Sequence, residues 1–347
     1  MRTSSPYLIA EMGVNFYDTA KCLGISPLEA AKMYIDAAAE SGVDCAKFQS
    51  YKAGTIVSKN SPAYWDIKKE PTKTQYELFL KHDAFGESEY RELCEYTHSK
   101  GLDFTSTPFD YASADYLEDM VDFYKISSSD LSNLPFIEYI GQKGKPVYMS
   151  VGAAYLSECD EAIRVLQKAG CKDIVIFHCV LSYPTAPKDA NLLVIETLKR
   201  IFPDIRVGFS DHVAPDNTMM TLATAYLLGA NVIEKHFTLD KALLGNDHYH
   251  AGDPEDFKKA IANFKWIDTV LGSSKKTVLD CEVISRREAR RSLVLTRNMK
   301  KGEIITAADL MPKRPGTGIS PKYAEIIIGR KILKDLLEDT VLTWDMI

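Results

Sequence analysis

The feature that most constrains this sequence is a regular alternation of short apolar runs with amphipathic segments of helical period. The apolar runs are rich in β-branched and aromatic residues and predict strands at 7–11, 44–48, 103–107, 122–126, 146–150, 173–178, 205–210 and 231–236. Helical patterns lie between them at 28–41, 87–100, 159–169, 190–201 and 217–228. Strand–helix units repeated eight times over about 270 residues predict an α/β fold, the (β/α)8 TIM barrel. No glycine-rich dinucleotide motif follows the first strand, which disfavours a Rossmann sheet.

The pattern changes after a last barrel helix that is predicted near 254–271. We predict a catalytic barrel over 1–271, a polar linker over 272–286, and a small, mostly-β domain over 287–347. A domain of that size is too small to enclose a substrate by itself. Within the barrel, the longest interruption spans 51–81, and a long loop after a barrel strand is usually functional.

Composition excludes several classes of protein. Hydrophobic residues make up 46% of the chain and charged residues 26%, as in an ordinary globular protein, and no run approaches a membrane helix. The chain starts without a signal-peptide pattern, and its seven cysteines include no CxxC pair, so we expect reduced thiols in the cytoplasm. A net charge of -6 without a compensating basic run argues against a nucleic-acid partner.

Polar side chains stand at the C-terminal ends of the predicted strands, where barrel enzymes build their active sites. In chain order they are Glu11, Lys47 with Gln49, Thr107, Lys125 with Ser128, Ser150, His178, Ser210 with His212, and Glu234 with His236. Because every predicted strand contributes such a group, we interpret the set as a catalytic site.

Two of these residues, His212 and His236, end neighbouring strands, so their imidazoles can converge on one metal ion. Two nitrogens completed by oxygen ligands suit Mn²⁺ or another divalent first-row metal. The alternative is a pair of hydrogen-bonded structural histidines. His178, His248 and His250 are further candidate ligands, although we expect His178 to pack at the barrel rim.

Lysines and serines among the same residues suit an anionic substrate. Lys47 and Lys125 each lie inside an apolar strand segment, which disfavours a solvated surface position. Together with Ser128, Ser150 and Ser210 they would surround a phosphate or carboxylate with charges and hydroxyl donors. The rival interpretation is a Schiff-base lysine, as in class I aldolases. The histidine pair disfavours it, because such a lysine needs no metal.

Nearly the whole chain resembles the sialic acid synthase family. The matching segments are IAEMGVN (9–15), KFQ (47–49), STPFD (106–110), YKISSSD (124–130), FHCVLSYPT (177–185), GFSDH (208–212), EKHFTLD (234–240), GND (245–247) and KRPGTG (313–318). The resemblance implies a TIM barrel followed by an antifreeze-like (SAF) domain. It also implies a domain-swapped homodimer, in which Arg314 of one subunit completes the site of the other.

The resemblance further implies a role for each matching residue. His212 and His236 would hold Mn²⁺, with Mg²⁺ or Co²⁺ as alternatives. The phosphoenolpyruvate site would be lined by Lys47, Thr107, Lys125, Ser128, Ser150 and Ser210. The acceptor sugar or the reacting water would face Glu11, Gln49, Phe109, Asp130, Tyr183 and Asp247. Of all these, Glu11, Lys47, Asp247 and Arg314 are the expected catalytic residues.

The implied reaction is a metal-dependent condensation of phosphoenolpyruvate with an N-acylated hexosamine, releasing phosphate and giving a nonulosonic acid. N-acetylmannosamine, which would give N-acetylneuraminate, is the first choice of acceptor. A 2,4-diacetamido-6-deoxy hexose, giving legionaminate or pseudaminate, is the alternative. The sequence departs from the family pattern on the acceptor side, at 15–18, Leu181 and Asp130. A catalytically dead binding protein is the alternative from another class, disfavoured by the intact lysines and histidines.

Overall fold

A computed structural model describes residues 5–65, 67–68, 70–245 and 247–347. Its main sheet has eight parallel strands: β1 Tyr7–Gly13, β2 Cys45–Ser50, β3 Asp103–Pro108, β4 Tyr124–Ile126, β5 Val147–Ser150, β6 Ile174–His178, β7 Arg206–Asp211 and β8 Val232–His236. They are hydrogen-bonded in the order β3-β2-β1-β8-β7-β6-β5-β4. The Asp122 amide donates to Phe104 O at 3.0 Å, which brings β4 beside β3 and closes the circle. The predicted TIM barrel is confirmed.

Helices follow the strands along the chain. Their bounds are Asn15–Leu23, Pro27–Ser41, Ala53–Ile56, Gln75–Lys81, Glu87–Ser99, Tyr111–Tyr116, Leu134–Gln142, Leu156–Lys168, Val194–Ile201, Met220–Leu228, Pro254–Leu271, Val283–Ala289 and Ala324–Ile327. The second shows how sequence sets the bounds. Ser26 and Glu29 form a reciprocal capping box, Pro27 occupies the first turn, and Gly42 ends the helix at φ +81°.

The barrel interior changes from apolar to polar along each strand. Ile9, Cys45 and Val232 belong to an apolar cluster inside the barrel. Since side chains on a strand alternate between its two faces, the residue two positions further on also points inward. Those residues are Glu11, Lys47 and Glu234, all buried. The two-residue period of the strands therefore places a layer of charged side chains next to this apolar cluster, on the side of the C-terminal strand ends.

The chain divides into two compact units, Met1–Gly272 and Ser273–Ile347. In the second unit, β9 (Ser292–Leu295) pairs antiparallel with β10 (Leu310–Lys313). Beyond this pair of strands, single bridges join Ile304 to Lys331 and Val341 to Val294. A small core is formed by Leu293, Leu295, Met299, Ile305, Ile319, Ile327, Ile332, Leu336 and Leu342. The helix Val283–Ala289 overlaps the segment expected to be a linker, because VISRREA is rich in residues compatible with a helix.

Candidate active site

A cavity of about 390 Å³ lies at the C-terminal ends of the barrel strands. Every predicted site residue of the barrel lines it: Glu11, Lys47, Gln49, Thr107, Phe109, Lys125, Ser128, Asp130, Ser150, Tyr183, Ser210, His212, His236 and Asp247. Thr55, Ile56, Tyr64, Gln75 and Phe79 also line it, so the 51–81 loop forms one wall. Arg314 belongs to the second unit, and Asn246 of the GND segment lies outside the described residues.

Lys47 is held at the floor of the cavity by strand register. β1 and β2 pair Glu11 with Lys47, and these two side chains form a buried ion pair. The Lys47 ammonium also donates to Thr107 Oγ1 at 3.2 Å, from the next strand. Burial lowers the pKa of Lys47, but Glu11 and Glu234 more than offset it, so the pKa is raised. Lys47 is therefore a cation at neutral pH.

Lys125 lies on β4, which is separated from the strand of Lys47 by β3. Its Nζ donates to Ser150 Oγ at 2.6 Å and lies 5.3 Å from the centre of the Phe177 ring. Burial lowers the pKa of Lys125, although Glu234 opposes the change. With only 3% of its surface exposed, this ammonium is available to a ligand inside the cavity and to little else.

Glu234 lies between the two lysines, 3.7 Å from each Nζ. Ser210, its cross-strand partner, donates to Glu234 Oε1 at 2.8 Å. Burial raises the pKa of Glu234, but Lys125 and then Lys47 outweigh burial, so the pKa is lowered. Sequence reasoning noted Glu234 at a strand end without giving it a role. Glu234 lies two residues before His236 on the same strand, and side chains at that spacing point to the same face. This spacing could have identified Glu234 as a residue of the site.

The end of β1 brings its backbone close to the floor at Gly13. This residue has φ +53°, in the left-handed region that favours glycine. A Cβ there would lie 3.1 Å from Gln49 Nε2 and 3.2 Å from Glu11 Oε1. Gln49 Nε2 donates to Glu11 Oε1 at 2.8 Å, so the glycine leaves room for the contact that orients both side chains.

The two predicted metal ligands meet at one side of the cavity. The His212 and His236 ring centres are 5.4 Å apart. His212 Nδ1 donates to Val180 O at 2.7 Å, which leaves Nε2 as its ligand atom. Within the described part of the chain, His236 Nδ1 is buried without a hydrogen-bond partner, and burial, aided by His250 and His212, holds the pKa of His236 well below its usual value. An uncharged imidazole with an unpaired nitrogen is suited to a metal ion.

Two further candidate ligands lie beside His236. His236, Asp247 and His250 each offer one ligand atom, and these atoms lie within 4.8 Å of one another. Burial, with Glu11 and Asp18 nearby, raises the pKa of Asp247 to about 7. Imidazole nitrogens with a carboxylate oxygen fit a divalent first-row cation. His178 instead donates from Nε2 to Ala190 O at 2.8 Å, as expected of a packing residue at the rim.

Two of the residues that depart from the family pattern, Asp130 and Leu181, line the more exposed part of the cavity, which we call the mouth. Asp130 accepts from Asn133 Nδ2 at 3.3 Å, and burial raises the pKa of its carboxyl. The Tyr183 ring lies 4.3 Å from the His212 ring, and Tyr249 donates to Tyr183 O at 2.9 Å. Leu181 is 38% exposed. The mouth is thus less charged and more open than the floor.

In the second unit, Arg314 begins a turn that is tied down on both sides. Ser292 Oγ donates to Pro315 O at 2.7 Å and accepts from the Gly318 amide at 2.8 Å. The Gly316 amide donates to Arg287 O at 2.7 Å. A Cβ on Gly318 would lie 2.3 Å from Leu342 O, so glycine is required there. The exposed Arg314 side chain therefore projects from a turn of defined shape.

The fold and this cavity define a TIM-barrel enzyme with a cationic floor beside a group of histidines. Residues 34–276 match the NeuB family and residues 290–347 match the SAF domain. The chain belongs to the NeuB family.

Similar proteins cover nearly the same length. An uncharacterized protein of Methanocaldococcus jannaschii is 41% identical over 340 residues, 98% of this chain and 94% of that protein. The N,N'-diacetyllegionaminic acid synthase of Legionella pneumophila is 37% identical over 348 residues, 98% of this chain and 94% of that protein. The crystal structure of the N-acetylneuraminic acid (sialic acid) synthetase of Leptospira borgpetersenii has a TM-score of 0.69 and 30% identity, covering 81% of this chain and 90% of that one.

Proposed function

We propose that this protein condenses phosphoenolpyruvate with an N-acylated hexosamine and releases phosphate, giving a nonulosonic acid. The observation that carries the proposal is the arrangement of the floor. Two lysines, each 3% exposed and each bound to a hydroxyl, lie beside a pair of unprotonated histidines. A buried cationic floor suits a small phosphorylated carboxylate, and adjacent metal ligands suit the activation of an aldehyde. The synthases among the relatives support the same reaction.

The floor residues would bind phosphoenolpyruvate. Lys125 with Ser150, and Lys47 with Thr107, offer charge-assisted donors on either side of Glu234. Ser128 adds a hydroxyl, and its Oγ already accepts from the Gly152 amide at 2.9 Å. These groups are fixed before the substrate arrives, so they would stabilise the leaving phosphate without reorganising.

The histidine side would hold a divalent cation, for which we propose Mn²⁺. His212 and His236 are the proposed ligands, with Asp247 and His250 as further candidates. A cation bound there supplies Lewis-acid polarisation of the acceptor's aldehyde oxygen. The protein's own part is to hold the imidazoles uncharged and oriented, which the Val180 carbonyl does for His212.

In the proposed reaction, the methylene carbon of phosphoenolpyruvate forms a bond to the aldehyde carbon of the open-chain sugar. The aldehyde oxygen takes a proton and becomes a hydroxyl. Water, oriented by Glu11 or Asp247, adds to the former enol carbon and loses a proton. The hydroxyl formed from water then gives up its remaining proton to the phosphate as the bond between that carbon and the phosphate oxygen breaks, which releases hydrogen phosphate and leaves a 2-keto acid. Lys47 and Lys125 balance the negative charge as it moves onto phosphate.

Two acceptors follow from the resemblance and the relatives. N-acetylmannosamine would give N-acetylneuraminate, the product named for the structural relative from Leptospira. A 2,4-diacetamido-6-deoxy hexose would give a legionaminate-type acid, the product named for the 37% identical Legionella protein. The greater identity of the second relative favours the diacylated sugar.

We further propose that the enzyme works as a cytoplasmic homodimer in which Arg314 of the partner subunit completes each site. A planar guanidinium on a rigid turn suits an acyl carbonyl or sugar hydroxyls. The seven cysteines are free thiols, as a reducing compartment would keep them. Among the described residues, no helix combines the length and apolarity that a membrane crossing needs.

The direct test is phosphate release from phosphoenolpyruvate with Mn²⁺ and a panel of N-acylated hexosamines, with mass spectrometry of the product. We expect one phosphate and one nine-carbon keto acid per sugar consumed. His236→Ala is the matched inactive control. Phosphate release that does not depend on any sugar, or a product lacking the new carbon–carbon bond, would contradict the proposal.

A further inference from the structure

A second, smaller cavity of about 50 Å³ lies beside the active site. Gln49, Phe79 and Asp247 line both cavities, so the two adjoin at these side chains. The rest of its lining comes from the segment after β1 and from the 51–81 loop with the residues next to it: Val14, Asn15, Asp18, Tyr51, Leu78 and His82. We call this smaller cavity the side chamber. None of these remaining residues has a role in the reaction proposed above.

The Tyr51 hydroxyl is the feature of the side chamber that points to a ligand. Only 4% of the Tyr51 surface is exposed, and Oη has no hydrogen-bond partner among the residues that the structure describes. Its ring is fixed by edge contacts with Phe79 at 5.3 Å and Phe109 at 6.0 Å. A buried hydroxyl without a partner costs about 1–3 kcal/mol, which a ligand that accepts from it would recover.

The other polar groups of the side chamber already have partners and therefore restrict what fits. Asn15 Nδ2 donates to Phe237 O at 3.0 Å. The two Asp18 carboxylate oxygens lie 3.7 Å from His82 Nε2 and 3.5 Å from His248 Nε2. Gln49 Nε2 is committed to Glu11, which leaves its carbonyl oxygen as an acceptor. Among the described residues, the side chamber thus offers the Tyr51 phenol donor and an amide acceptor, beside the Asp247 carboxyl and the apolar side chains of Val14, Leu78 and Phe79.

Size and chemistry together select an acyl group. The side chamber, at about 50 Å³, has room for a few waters or for a group of about four heavy atoms such as an acetamido group. Its polar side chains can hold water, which a substrate group that enters the chamber displaces. An acylamino group needs one donor, one acceptor and an apolar surface for its methyl group, which matches the lining.

We propose that the side chamber binds a second N-acyl group of the acceptor sugar. Tyr51 Oη donates to its carbonyl, and Val14, Leu78 and Phe79 pack against its methyl group. The inference rests on the proposed function and narrows its substrate class to di-N-acylated hexoses. A singly acylated sugar leaves the Tyr51 hydroxyl unpaired, and a site with an unpaired buried donor discriminates against such a substrate.

The test compares two acceptors that differ only at the second nitrogen: a 2,4-diacetamido-6-deoxy hexose and its 2-acetamido analogue with a 4-hydroxyl. Phosphate release gives kcat/KM for each. We expect wild type to prefer the diacylated sugar by at least about tenfold, and Tyr51→Phe to lower kcat/KM for that sugar about tenfold while changing the other by less than about twofold. Leu78→Phe, which fills the chamber, should have the same selective effect. Tyr76→Phe, on the same short helix but lining neither cavity, should change nothing.

Three outcomes would overturn the inference. Wild type could prefer the singly acylated sugar. Tyr51→Phe could lower both kcat/KM values equally, as expected if the chamber holds water or supports the fold. Tyr51→Phe and Leu78→Phe could both leave the preference intact. In each case phosphoenolpyruvate is still consumed, so the proposed function survives. Absence of phosphate release with every N-acylated sugar would overturn the proposed function and this inference together.

Discussion

Lys235 Nζ lies 2.6 Å from Asp211 Oδ2 in a fully buried ion pair, and donates to Val213 O at 2.8 Å. Asp211 and Lys235 are cross-strand partners of β7 and β8. Each immediately precedes one of the two predicted metal ligands in sequence. Because successive side chains point to opposite faces, the ion pair lies on the outer side of the strands whose inner side presents His212 and His236. We therefore expect the pair to hold the two imidazoles at a fixed separation.

Lys235→Met should weaken metal binding without unfolding the barrel when Asp211→Asn is made with it, since the double variant leaves no buried charge unpaired. We expect Mn²⁺ affinity, measured by titration of the metal-free protein, to fall about 10- to 100-fold. Lys241→Met, which removes a half-exposed ion pair with Asp253 and Asp256, is the control and should bind Mn²⁺ normally. Unchanged affinity in the double variant would show that the pair does not position the histidines.

His250→Ala should lower Mn²⁺ affinity by at least about tenfold, because it removes a nitrogen that can approach the ion beside His236. His178→Ala is the matched control, since His178 is equally buried and bonded to a backbone carbonyl. Chelation with EDTA should abolish the activity of the wild-type protein, and added Mn²⁺ should restore that activity. Full activity after thorough chelation would contradict the metal site, and equal affinities in the two variants would remove His250 from it.

Lys125→Met should raise the KM for phosphoenolpyruvate far more than the KM for the sugar. It deletes a charge-assisted contact worth about 1.5–3 kcal/mol, which corresponds to roughly 10- to 150-fold in affinity. Lys188→Met, at a side chain that is 81% exposed, should behave as wild type. Borohydride treatment with substrates should leave no adduct on Lys47 or Lys125. A trapped adduct would assign the protein to the Schiff-base aldolases instead.

Lys47→Met should destabilise the protein by about 3–5 kcal/mol, because Glu11 would keep a buried charge without its partner. The double variant Lys47→Met/Glu11→Gln should regain most of that loss while remaining inactive. Thermal and urea unfolding of the three proteins supplies the measurement. If the double variant is no more stable than Lys47→Met, the ion pair is not the source of the destabilisation.

Mixing His236→Ala protein with Arg314→Ala protein, each inactive alone, should restore activity when subunits exchange. If Arg314 acts in the partner's site, a mixed dimer contains one site with both lesions and one with neither. At equal concentrations we expect up to about a quarter of the wild-type activity, from half of the dimers each having one intact site. Demonstrated exchange without recovered activity would mean that Arg314 acts within its own subunit or has no catalytic role.

Most of the fold followed from periodicity. The buried strands of a parallel barrel are continuous apolar runs, so YLIAE and NVIEKH were recognisable, and each observed strand lies within a few residues of its predicted bounds. The second unit was harder. In the predicted mostly-β domain, the described residues pair outside β9 and β10 only through single bridges such as Ile304 to Lys331. In so small a unit, pairing depends on turns and on partners distant in sequence, which local pattern does not encode.

Site residues that lie at strand ends were predictable from the sequence, whereas those that lie on loops were less so. Lys47, Lys125 and His236 follow from strand ends alone, because register brings them to one edge. The position of Glu234 between the two lysines became evident only from its distances to Lys47 and Lys125 in the structure. Tyr51 was invisible to sequence reasoning, since nothing local distinguishes a tyrosine whose hydroxyl lacks a partner from one that is bonded.

The depth of the cavity bears on the order in which substrates bind and products leave. Lys47 and Lys125 are 3% exposed at the floor, whereas Leu181 is 38% and Tyr64 is 64% exposed. A sugar seated in the mouth therefore obstructs the route to the floor. If the substrates bind as proposed, phosphoenolpyruvate would enter first and the acceptor second, and phosphate, formed beneath the new nonulosonic acid, would leave last. In that order of release, phosphate would stay bound until the nonulosonic acid has left. Accumulated phosphate would then slow turnover, because it would occupy the floor in place of phosphoenolpyruvate.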